Sequence, residues 1–116
     1  MHLRSYQLAV KFYAIVRAKK LPCPLSNQLR RAASSIALNL AEGTGRRGAA
    51  DRVRFFDIAL GSVRECQAIA ELEPASFTEA DKDLADHLAA STFKLTRSAA
   101  SANRSSGFRK PQPAHI

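Results

Sequence analysis

The residues in this chain best suited to chemistry are its paired cations. Lys19-Lys20, Arg30-Arg31 and Arg46-Arg47 stand as dibasic pairs along the first half. Such groups neutralise phosphates, and arginine does so through a planar fork that fits phosphate oxygens. These six residues are the candidate nucleic-acid contacts. Other reactive side chains are sparse. Glu42 is the only acid in the first fifty residues and lies near the expected end of a helix. A carboxylate there opposes the helix dipole, so an ion pair with a nearby arginine is its expected role. Asn39 is expected to hydrogen-bond across a helix interface and fix its register.

Ser34 and Ser35 follow Ala32 and Ala33, and this small-residue run suits close helix packing. A nucleophilic serine would want a Gly-x-Ser-x-Gly context or a paired base, and neither is present. A hydrolase would need Glu42 to converge with Ser35 or His87 in one pocket. No Cys or His partner is spaced for His87 to hold a metal. Cys23 and Cys66 are too few for a disulfide scaffold and are expected to be packing residues or surface thiols. Gly43, Gly45 and Gly48 flank Arg46 and Arg47, but the loop follows a helix and lacks a Gly-Lys-Ser/Thr ending, which argues against a phosphate loop. The residues therefore point away from an enzyme, a cofactor and a metal.

Four helical segments must position these groups. Leu3, Tyr6, Val10 and Tyr13, with Leu8, Phe12 and Ile15 beside them, mark a helix over roughly 3–20. The Leu-Pro-Cys-Pro run at 21–24 ends it. A second helix starts near Pro24 to Ser26 and carries Leu25, Leu29, Ala32, Ala33, Ile36 and Leu40. Gly43 and Gly45 are expected to stop it, glycine being at ease in the left-handed cap conformation. A third runs over roughly 49–73 with two adjacent apolar stripes, a face wide enough for more than one neighbour. Pro74 ends it. Thr78, three residues before Asp81, opens the fourth, whose stripe runs Leu84, Leu88, Ser91 or Thr92, Leu95, Ala99 and Ala102. Short links between such helices predict an all-α, antiparallel up-down four-helix bundle over residues 1–103. Residues 104–116, rich in Pro, Gly and cations, are expected to form a disordered basic tail.

The 116 residues suit one domain, and the net charge of +8 with a pI near 10.2 predicts attraction to polyanions. That charge is uneven. The first helix carries Arg4, Lys11, Arg17, Lys19 and Lys20 without an acid, whereas the third and fourth are mildly acidic. A basic face suits phosphates; basic and acidic faces of separate protomers also suit a heterologous ring. No apolar run approaches the roughly 20 residues of a membrane span, and the N-terminus lacks a signal-peptide pattern, so a cytoplasmic protein is expected.

The segments SYQLAVKFYAIV, LPCPLSNQLRRAASSIALNLAEGTGR and RFFDIALGSVRECQAIAEL resemble the four-helix-bundle proteins associated with 23S ribosomal RNA intervening sequences. The likeness is strong over residues 3–73 and looser in the fourth helix. It implies assembly into a homopentameric ring or barrel. It also implies kinship with the accessory proteins of diversity-generating retroelements, basic pentamers that bind nucleic acid and a reverse transcriptase. No enzymatic activity is implied. Two functions follow as expectations: a self-assembling module that binds RNA or DNA, or a scaffold that recruits a protein partner without nucleic acid.

Overall fold

A computed structural model describes the backbone of residues 3–109 and the side chains of residues 3–104. Helix α1 spans Arg4–Arg17, α2 Leu25–Thr44, α3 Ala49–Leu72 and α4 Glu79–Arg109, with a single 3-10 turn at Pro74–Ser76. Among the described residues there is no strand. Helices α1 and α3 each pack against α2 and α4, so the four close into a ring around one core.

Leu29, Ala32, Ala33, Ile36 and Leu40 on α2 are all buried, as the periodicity predicts. They meet Phe56, Ala59, Val63, Cys66 and Ile69 of α3, and Leu88 of α4. Each fully buried large side chain contributes about 1.5–3 kcal/mol of apolar transfer, which is what holds helices of ordinary propensity together.

Helix α1 departs from the expected stripe. Its buried residues are Ser5, Ala9, Phe12 and Val16, whereas Val10 is 46% exposed. Tyr6 and Tyr13 only flank the core. A stripe drawn through the largest side chains misses a face whose first half consists of small ones. Small residues let α1 lie close to α4, and Ser5 shares a hydrogen bond with Ser91 there at 2.5 Å.

The glycines also act differently from expectation. Gly43 is buried inside α2, and no described glycine has a positive φ. A Cβ on Gly43 would sit 2.6 Å from Phe56 Cε1 and 3.1 Å from Phe55 Cβ. Its lack of a side chain lets α2 and α3 approach, and Gly45 ends the helix in an ordinary right-handed conformation.

Two ends shift. Helix α1 stops at Arg17, three residues early, where the chain leaves the helix and Lys19 reaches across to α4. Helix α4 continues to Arg109, past the Asn103 boundary, because no proline intervenes before Pro111. Residues 110–116 of the expected tail lie outside the described residues.

Candidate nucleic-acid interface

The start of α4 is built by reciprocal capping. The Thr78 backbone N–H donates to Asp81 Oδ2 and the Asp81 N–H donates to Thr78 Oγ1, both at 3.0 Å. The same carboxylate receives Lys19 Nζ at 2.6 Å, with both side chains nearly buried. Lys19 also donates to the Ser76 carbonyl at 2.8 Å and lies over the Phe77 ring at 4.9 Å. Burial pushes the Asp81 pKa up. The Lys19 hydrogen bond, the Thr78 backbone N–H, the Lys19 charge and the Thr78 hydroxyl outweigh it and hold the carboxyl below its ordinary range. Lys19 is thus a structural clamp between the end of α1 and the start of α4, its ammonium nearly buried between Asp81, the Ser76 carbonyl and the Phe77 ring. Its neighbour Lys20 is exposed.

The remaining candidate cations fall into two places. Arg30 and Arg31 project from α2 as exposed side chains. Arg31 lines an open groove of about 690 Å³ between α2 and α3, together with Gln28, Leu38, Asn39, Ser62 and Glu65. Arg46 and Arg47 occupy the α2–α3 turn, far along the helix from the first pair. Arg46 donates to Glu42 Oε2 at 2.5 Å, one helical turn away. Glu42 is therefore paired as expected, with Arg46 alone of its neighbouring arginines and at an exposed position. Such a pair orders the two side chains and contributes little stability.

Sequence reasoning missed the aromatic centre of this cluster. Arg46 lies 4.9 Å from the Phe55 ring centroid and Arg54 lies 4.4 Å from it. Arg54 also approaches Asp51 at 3.6 Å, and Arg52 donates to the Arg47 carbonyl at 2.9 Å. Phe55 was legible only as a residue of one of the two apolar stripes of the third helix; arginines one to nine positions before it were its one available signal. The result is a guanidinium cluster held in place by stacking, by the Glu42 and Asp51 carboxylates and by backbone contacts, with Arg46, Arg47 and Arg54 exposed.

The polar groups on α2 form a relay. Asn39 Nδ2 donates to the Ser35 carbonyl at 2.8 Å and to Ser35 Oγ at 3.0 Å. Ser62 Oγ of α3 donates to Ser35 Oγ at 2.9 Å. Asn39 itself stays within its own helix, correcting the expectation that it bonds across the interface. Ser35 makes the crossing instead, accepting from the Ser62 hydroxyl of α3.

The groups a hydrolase would need are engaged separately. Ser35 is held by Asn39 and Ser62, Glu42 by Arg46, and exposed His87 bonds the Asp83 carbonyl on its own helix. Among the described residues no His, Cys, Asp or Glu group is arranged to hold a metal ion, and no helix is long and apolar enough to cross a membrane. Cys66 is buried and Cys23 exposed. Burial, and secondarily the charge of Glu65, push the Cys66 thiol up to about 12.

No curated protein matches the chain. Among solved structures, a crystal structure of a protein with unknown function from the S23 ribosomal protein family of Bacteroides thetaiotaomicron shares the fold. It has a TM-score of 0.56 and 20% identity over 85% of this chain and 94% of that one. The family model described as 23S rRNA-intervening sequence protein matches residues 2–89. With the bundle and the sequence match in agreement, the chain belongs to the 23S rRNA-intervening sequence protein family.

Proposed function

We propose that this protein is a non-enzymatic, basic, self-assembling four-helix bundle that binds RNA or DNA. The observation that carries this reading is the exposed guanidinium cluster ordered around Phe55. Pre-positioned arginines lose less side-chain freedom on meeting a phosphate, so each contact is stronger than one from a free side chain. The net charge of +8 supplies the long-range attraction.

The antiparallel up-down arrangement belongs to this reading. Gln28 meets Glu65, Ser35 meets Ser62 and Gly43 meets Phe56, so numbers fall on α3 as they rise on α2. Ser5 with Ser91 and Lys19 with Asp81 give the same sense for α1 and α4.

Homopentamer assembly has support on the outer face of α2 and α3. Leu38 is 68% exposed and Ile58 43% exposed, and exposed Gly61 has nothing within 4 Å of where a Cβ would lie. A mid-helix glycine costs roughly 0.5–1 kcal/mol relative to alanine, and here no internal contact requires it. Close approach by another chain would.

The groove between α2 and α3, which Leu38 lines, supports a second reading, a scaffold that captures a protein partner through Leu38 without nucleic acid. Molar mass in solution, measured with and without a mixed RNA pool, tests both. A pentamer that gains mass with RNA supports the first reading. A pentamer that retains no RNA or DNA on a filter at moderate salt removes it and leaves the scaffold.

A further inference from the structure

Helix α1 is the shortest of the four, and it stops early along α4. Its first turn meets α4 at the Ser5–Ser91 hydrogen bond. From Ser91 to Arg104 the helix continues for about 20 Å at 1.5 Å per residue, with no α1 alongside. This overhang is still docked, because Ala99 on its inner side is buried in the common core. The short link between α3 and α4 reverses the chain, and Gln67 meets Asp86 just beyond it. The overhang therefore runs back toward the start of α3 and the α2–α3 turn.

The charge on this overhang is one-sided. From Leu88 to Arg104 there is no acid, and Lys94, Arg97 and Arg104 are all exposed. Arg4, the first residue of α1, is exposed beside them in the fold order. The α2–α3 turn adds Arg46, Arg47, Arg52 and Arg54 against Glu42, Asp51 and Asp57, with Arg46 paired to Glu42 and Arg54 close to Asp51. Aromatic rings accompany the cations: Phe55 within the turn, and Phe93, 44% exposed with Arg97 at 5.8 Å, on the overhang. The opposite end differs. Lys19 is consumed by Asp81, and the acids Glu71, Glu73, Glu79, Asp83 and Asp86 share that end with Arg17, Lys20 and Lys82. Arg31 shares its groove with Glu65.

We infer that the α4 overhang and the α2–α3 turn together form the nucleic-acid surface, and that Arg30 and Arg31 do not take part. This inference rests on the nucleic-acid reading above and assigns it a place. Single-stranded RNA is the ligand the surface fits, since phosphates can follow the cations while unpaired bases stack on exposed ring and guanidinium planes.

The test uses the full chain and a fluorescently labelled single-stranded RNA, with anisotropy read across a salt series. The triple variant Lys94→Gln, Arg97→Gln, Arg104→Gln alters exposed positions only, and circular dichroism and molar mass verify its fold and assembly. Loss of three phosphate contacts lowers the logarithmic salt slope by about 2 and weakens binding at least about tenfold. The double variant Arg30→Gln, Arg31→Gln leaves affinity and slope within about twofold of wild type. If wild type binds and the Arg30, Arg31 variant loses as much as the triple variant, the placement is overturned while the nucleic-acid reading stands. If wild type itself does not bind, both fall.

Discussion

Replacing Lys19 by Met tests whether the clamp between α1 and α4 holds the bundle closed. The substitution keeps the aliphatic stem over Phe77 and removes the charge. Asp81 then remains nearly buried, its side chain 11% exposed, with only the Thr78 groups to satisfy it. Breaking a fully buried pair costs about 3–5 kcal/mol, and the residual exposure here reduces that to about 2–4 kcal/mol. Asp81→Asn loses the same pairing but retains an acceptor for the Thr78 N–H, so it costs less than Asp81→Ala, which also removes a cap worth roughly 1 kcal/mol. Urea unfolding at one fixed protein concentration measures these differences, since assembly makes stability concentration-dependent. The double variant Lys19→Met, Asp81→Asn recovers part of the loss, because no charge is then stranded. The pH dependence has a defined sign. The folded Asp81 pKa lies below its unfolded value, so its stabilisation is present above the ordinary carboxylate range near 4. It disappears as pH falls through the lowered folded value, and wild type and Asp81→Asn converge there. A coupling energy below about 0.5 kcal/mol, the level of an exposed pair, would refute the clamp.

Three further outcomes follow from the packing. Gly43→Ala destabilises by about 1–3 kcal/mol in urea unfolding, because its Cβ would press on the Phe56 ring at 2.6 Å; an unchanged midpoint would contradict the close approach of α2 and α3. Thr92 is fully buried with no partner for its hydroxyl among the described residues, so Thr92→Val raises stability by about 1 kcal/mol, and a loss of that size would reveal a partner after all. A thiol reagent at pH 8 modifies Cys23 readily, whereas Cys66, its pKa pushed up to about 12 by burial, reacts only in denaturant; two fast thiols in the native protein would overturn this.

Much of the architecture was readable along the chain, because helix periodicity, proline and capping are local. The stripe from Leu29 to Leu40, the stop at Pro74 and the Thr78-x-x-Asp81 start all depend on residues within one or two turns of each other. The family likeness was carried by the same segments. What three dimensions decided were matters of which distant groups meet. Lys19 read as a free cation until Asp81, sixty-two positions away, was placed beside it. Gly43 read as a helix stop, and proved to be a gap filled by the Phe56 ring. The buried face of α1 passed through Ser5 and Ala9, since close approach to α4 favoured small residues over large ones. The dibasic pairs were visible from the start, but charge is visible without its surroundings. Only folding set Arg46 against Phe55, placed Arg31 in a groove with Glu65, and left the basic half of α4 extending past the start of α1.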